Sequence, residues 1–180
     1  MGKRTRDVLF GLAAGALALG FNAPAFAADN TAGTAATVTV TGGFLTITAP
    51  TDAGNLGSRS NSVGGGTISG SLGQVQVLDA RSAAAGSGWV TSVISGAFTP
   101  LAGPAIAASE VSYSAGAITK VGTATYTANN PSDLTGVSAA VTATGITGDN
   151  SATWNPTISV HVAGGMAAGV YSATITHSVL

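Results

Sequence analysis

The chain has 180 residues, of which 45% are hydrophobic and only 7% charged, with a formal net charge of -1 and no cysteine. Without cysteine there is no disulfide framework, thiolate metal site or thiol nucleophile. With so few Lys and Arg there is no basic cluster to neutralise a phosphate backbone, which excludes nucleic acid as a partner.

At the N-terminus Lys3, Arg4 and Arg6 precede an apolar run from Val8 to Phe21, followed by Pro24 and Ala25-Phe26-Ala27. A basic region, a short apolar region and small residues at a cleavage point are the order of a secretory signal peptide. The run is well short of the roughly 20 residues that span a bilayer. Residues 1–27 are therefore expected to be a cleaved signal peptide and residues 28–180 a single exported domain. The charges left after cleavage, Arg59, Arg81 and Lys120 against Asp29, Asp52, Asp79, Glu110, Asp133 and Asp149, make that domain mildly acidic.

From Ala36 the chain alternates Val38 and Val40 with Thr37, Thr39 and Thr41, then passes Gly42-Gly43 into Phe44, Leu45 and Ile47 before Pro50. Two β-branched runs around Gly-Gly predict a hairpin. Residues 55–73, rich in Gly and Ser, read as a surface loop or a ragged edge strand, and no Lys follows the glycines as a phosphate loop requires.

The stretch from Val75 to Thr91 is the organising unit: a strand through Val75 and Val77, a small-residue loop over Ser82 to Gly88, and a second strand opened by Trp89 and ending at Phe98. Asp79 and Arg81 stand two positions apart, on the same side of an extended chain. They either orient a sugar hydroxyl or peptide carboxylate through the planar guanidinium fork, or form a local ion pair that fastens the loop.

Further strands are expected over residues 117–128, 137–144, 153–162 and 170–180, with turns at Asn129-Asn130-Pro131, Gly148-Asp149-Asn150 and Gly164-Gly165. Short strands separated by such turn signals predict an all-β fold, an antiparallel β-sandwich. In the last strand Tyr171, Ala173, Ile175, His177 and Val179 share one face and the polar residues the other. The chain stops at Leu180 with no sorting motif, so no covalent or transmembrane anchor is expected after signal cleavage.

Gly43-Phe44-Leu45-Thr46-Ile47 with Pro50, Val77-Leu78-Asp79-Ala80-Arg81 leading to Gly88-Trp89-Val90-Thr91, and Ala168-Gly169-Val170-Tyr171 through Val179 together resemble the WxL domain family of Gram-positive cell-surface proteins. The family signature is incomplete here: Thr91 replaces the first Leu, and the C-terminal copy reads His177-Ser178-Val179. The resemblance implies a secreted, extracellular protein held non-covalently on the cell wall, with peptidoglycan or another wall glycan as partner. The alternative is a self-assembling subunit of a surface fibre or biofilm matrix, built on the weakly protected strand edges of a Thr- and Val-rich sandwich and contacting other surface proteins.

The candidate binding residues are Asp79, Arg81, Trp89, Tyr171 and His177. Trp89, Trp154 and Tyr171 serve either as a glycan-stacking platform or as core in a chain poor in rings. His177 is expected to be a hydrogen-bonded core residue and His161 an exposed one. The two histidines lack a metal-ligand spacing, Asp133 and Asp149 read as turn residues bonding their own backbone, and no nucleophile elbow is present. No catalytic residue, metal or cofactor is expected.

Overall fold

A computed structural model describes residues 34–180, of which 40–180 form one unit, and the expected signal peptide lies outside the described residues. Strands β1 (Leu45–Thr48), β2 (Gly66–Ser71), β3 (Val75–Ser95), β4 (Thr99–Pro100), β5 (Val111–Ser114), β6 (Ile118–Ala128), β7 (Ser138–Trp154), β8 (Thr157–Val162), β9 (Tyr171–Ser172) and β10 (Ile175–Val179) follow in order. The single helical piece among the described residues is a 3-10 turn at Ala108–Glu110. The fold is all-β, with antiparallel sheets packed on one another.

The larger sheet runs β1-β3-β7-β6, and β10 joins it on β3; the smaller runs β2-β8-β5. β4 and β9 make a two-stranded ladder at the side. β3 holds the large sheet together, since one of its edges carries β7 while the other carries β1 opposite Gln76–Asp79 and β10 opposite Thr91–Ser95. The core lies between the sheets, built from alternate residues such as Val75, Val77, Trp89 and Val93 of β3, Ala152 and Trp154 of β7, Val111 and Tyr113 of β5, and Ile158 and Val160 of β8. The period of two along each strand puts these side chains on the inner face and leaves most Thr and Ser outside, Thr91 and Ser95 of β3 being buried exceptions.

Several sequence expectations are corrected. The stretch expected as strand, loop, strand is one strand of 21 residues, β3, whose pairing with β7 slips between Asp79 and Ala83, between Ala83 and Ser87, and between Ser87 and Trp89. The small residues therefore make bulges, with Ser82 at φ 53 and Gly86 at φ 88, because the slack is taken up within the ladder. The expected turn at Gly148-Asp149-Asn150 lies inside β7, and the chain reverses instead at Asn155-Pro156, where Pro cannot donate to a ladder.

The expected N-terminal hairpin is also absent. Only β1 forms, and it pairs with β3, while residues 36–41 are exposed and among the described residues take no strand partner. Residues 55–65 carry no strand, and the rest of that Gly-rich stretch supplies the edge strand β2. The strand through Trp89 ends at Ser95 rather than at Phe98, which makes a separate bridge to Ile106. β5 falls on Val-Ser-Tyr-Ser, an alternation too short to stand out in the sequence.

Candidate functional site

The five candidate residues fall into two groups. Asp79, Arg81 and Trp89 meet in one polar network inside the large sheet, whereas Tyr171 and His177 line a cleft at its edge.

The network is carried by β3, β7 and β6. Asp79 has a fully buried side chain, and Arg81 Nε and Nη2 donate to its two oxygens at 2.8 and 2.9 Å, a two-pronged pair reinforced by the Arg81 backbone N–H at 3.2 Å. Asn150 Nδ2 donates to Asp79 Oδ2 at 3.2 Å, and Asn150 Oδ1 accepts from Trp89 Nε1 at 3.1 Å and from Tyr126 OH at 3.0 Å. Trp89 is 2% exposed and its ring lies 5.6 Å from that of Tyr126 at an interplanar angle of 54°. That tilted arrangement suits the aromatic quadrupole.

Every polar atom that these groups bury is thereby satisfied, which a buried carboxylate requires. The hydrogen bonds from Arg81 hold the Asp79 carboxyl below the usual carboxylate range, against the opposing effect of its burial. Burial pushes the Tyr126 hydroxyl up, and the nearby Asp79 charge adds to this, so both side chains keep the protonation states that the hydrogen bonds need.

Arg81 is where this network reaches solvent. Its side chain is 38% exposed, Nη2 also approaches the Gly88 carbonyl at 3.4 Å, and Nη1 takes no hydrogen bond among the described residues. Of the two readings of the Asp79 and Arg81 pair, the fastening ion pair is present, and it leaves one edge of the guanidinium facing outward. Thr91, in place of the signature Leu, is buried: its hydroxyl donates to the Val141 carbonyl at 3.2 Å and accepts from the Val141 N–H at 3.0 Å, across the register slip beside it.

Sequence reasoning missed Asn150, Tyr126 and Asp149. Asp149 does not bond its own backbone, as a turn residue does; its Oδ1 accepts from the Ser82 N–H at 2.9 Å and ties down the bulge of β3. Asp133 does behave as a turn residue, accepting from the Thr135 N–H at 2.7 Å. The signal for Asn150 was the alternation that runs from it through Ala152 to Trp154 against Ser151 and Thr153, which outweighs a Gly-Asp-Asn turn signature once a neighbouring strand supplies partners.

The other group borders a cleft of about 740 Å³ between the sheets, lined among others by Ile68, Val160, Met166, Tyr171, Ile175 and His177. Tyr171 is half-buried, and its hydroxyl donates to the Ala167 carbonyl at 2.8 Å. Trp154 is the second buried Trp, donating from Nε1 to Tyr113 OH at 2.8 Å. Burial raises that phenol to about 12, so it stays neutral. His177 departs from expectation: its ring packs 5.7 Å from Tyr113, but Nε2 is buried with no hydrogen-bond partner. Burial lowers its pKa, because the charged ring would have to leave water.

His161 is exposed, and its Nδ1 lies 2.7 Å from Glu110 Oε2. Among the described residues no group of three or more His, Asp or Glu stands close enough to hold a metal ion, and no helix is long and apolar enough to cross a membrane.

The fold and the site define the class of this protein as an antiparallel β-sandwich with a buried Trp-Asn-Asp-Arg network opening to solvent at one arginine. No protein-family model, curated protein or solved structure matches the chain.

Proposed function

We propose that this is a secreted, non-catalytic surface module that attaches non-covalently to the bacterial cell wall through peptidoglycan. The observation that carries the reading is the outward edge of Arg81: a guanidinium fixed by a buried carboxylate, with Nη1 left for a ligand. A fixed fork of donors loses little freedom when it binds a planar acceptor, and the carboxylates and amides of wall stem peptides are such acceptors. The N-terminal signal pattern and the WxL-like motifs add support.

The mildly acidic domain is not drawn to anionic wall polymers, and the charge of Arg81 is already balanced by Asp79. Binding then rests on short-range hydrogen bonds, which salt screens little. The test is co-sedimentation with purified sacculi. Raising salt from about 0.1 to 1 M, which shortens the Debye length from roughly 10 to 3 Å, is expected to leave binding largely intact. Arg81→Lys, which keeps the charge and loses the fork, is expected to weaken it roughly tenfold, the loss of one charge-assisted hydrogen bond of about 1.5 kcal/mol. No sedimentation with sacculi at any salt would end this reading.

A further inference from the structure

Residues 49–62 run without a strand along the opening between the sheets, and with them in place a cleft of about 740 Å³ remains. Pockets that hold small ligands measure roughly 300 to 1,000 Å³. The wall of this one is apolar where the sheets reach it, at Ile68, Val160, Val162, Met166 and Ile175.

The cation on this wall is seated by a glycine. Ile68 lines the cleft, so Gly66, two residues before it on β2, faces the same side. A Cβ at Gly66 would lie 1.5 Å from Arg59 Nη1 and 2.3 Å from Arg59 Cζ. The guanidinium therefore occupies the space that a side chain at 66 would take, in line with Ile68 and about 7 Å from it along the strand. Arg59 Nη2 donates to the Gly65 carbonyl and, at 3.3 Å, to Ser62 Oγ, which hold the group there. Asn61, two positions further on, donates from Nδ2 to the Met166 carbonyl at 2.7 Å and fastens this end of the loop.

No carboxylate balances that cation. The ion pairs among the described residues are Arg81 with Asp79 and His161 with Glu110, and there Arg59 Nε and Nη1 meet no acceptor. Asp52 is the acidic side chain on the cleft, and its Oδ1 accepts from the Gly54 N–H of its own turn. His177 also lines the cleft, and burial keeps its ring neutral. The cleft thus presents one seated, uncompensated cation beside an apolar wall.

We propose that the cleft binds a single-chain anionic amphiphile of the fatty-acid class, with its carboxylate on the free edge of Arg59 and its hydrocarbon along Ile68, Val160, Val162 and Ile175. The carboxylate supplies the acceptor that the guanidinium lacks, and the chain takes apolar wall out of water. A neutral head would leave Arg59 unanswered, and a cationic head would be repelled by it. The inference is independent of wall binding through Arg81, which it neither needs nor excludes.

Calorimetric titration of the purified full chain with octanoate, decanoate and dodecanoate, each kept below micelle formation, tests it. Affinity is expected to rise about two- to fourfold per methylene, fourfold corresponding to complete burial. Decanoate is expected to bind about fivefold or more tighter than decanol or decyltrimethylammonium, the share of one charge-assisted hydrogen bond at an exposed rim. Arg59→Gln is expected to remove that preference while leaving decanol binding unchanged, a selective loss that amphiphile bound elsewhere on the chain would not show. Gly66→Ala, whose Cβ takes the seat of the guanidinium, is expected to reproduce the loss in Arg59→Gln. Met166→Trp, which fills the cleft, is expected to weaken decanoate and decanol alike, with thermal melting as the check that each variant is folded. Absence of saturable decanoate binding would overturn the proposal, as would affinity indifferent to chain length, equal binding of the three head groups, or a preference for decanoate that survives in Arg59→Gln.

Discussion

Trp89 matters less as a ring than as the point where core packing and a polar network meet. Its indole fills the interior beside Tyr126 while its N–H supplies one of the two bonds to Asn150 Oδ1. Trp89→Ala is expected to destabilise the fold by about 3 to 5 kcal/mol. Trp89→Phe, which keeps much of the volume and loses the donor, is expected to cost about 1 to 2 kcal/mol. Chemical denaturation of the two variants separates the terms, and equal losses would mean that the hydrogen bond contributes most of the effect.

Two groups at this scale make stability depend on pH, both in the same direction. Asp79 has a folded-state pKa below its ordinary 3.8, so the folded protein binds its proton less readily than the unfolded chain. Its contribution is full above the unfolded value and is lost as pH falls through 3.8 towards the folded one. His177 has a folded-state pKa below its ordinary 6.5 because of burial, so stability falls as pH drops below 6.5 and the unfolded chain takes up a proton that the folded state refuses. Melting temperatures between pH 7 and 5 are expected to decline in the wild type and to decline less in His177→Phe. A second decline below pH 4 is expected to weaken in Asp79→Asn.

The long strands β3 and β7 are the elements that make the site, and they succeed because their irregularities are placed and tied. Ser82 is held by Asp149, Arg81 by Asp79, and β6 passes Asn150 at a glycine. At Gly122, φ is +90°, and a Cβ would lie 2.6 Å from the Asp149 carbonyl and 3.0 Å from the Asn150 Cβ. Gly122→Ala is therefore expected to cost at least about 1 kcal/mol through backbone strain and crowding together. It is also expected to perturb the Trp89 environment, read by near-ultraviolet circular dichroism. An unchanged Trp signal with unchanged stability would show that β6 moves freely past Asn150.

For the whole molecule the dominant fact is that its ladders join distant parts of the chain. β2 pairs with β8, and β10 returns to β3, across some eighty to a hundred residues. Loop closure has to precede the burial that rewards it, so folding is expected on the millisecond to second scale of non-local β proteins. Stopped-flow refolding followed by Trp fluorescence measures this, and relaxation within microseconds would contradict the topology.

The sequence by itself determined the fold class, because Val, Thr and Ile at a period of two have no other way to bury one face, and it marked β6; the last run, expected as one strand over 170–180, is divided into β9 on β4 and β10 on β3, and of the two readings left open for Trp89 and Trp154 the structure shows burial. The sequence also made Asp79 and Arg81 conspicuous, since charge is so rare in this chain. What it left open was decided by partners far away in the chain. Asn150 reads locally as a turn residue and becomes the hub of the network only because Asp79, Trp89 and Tyr126 are brought to it by three strands. The small residues 82–88 read as a loop and instead bulge within a ladder, because β7 offers a continuous edge to pair with. Residues 37–41 alternate as a strand does, yet among the described residues they take no strand partner, so alternation by itself does not fix pairing.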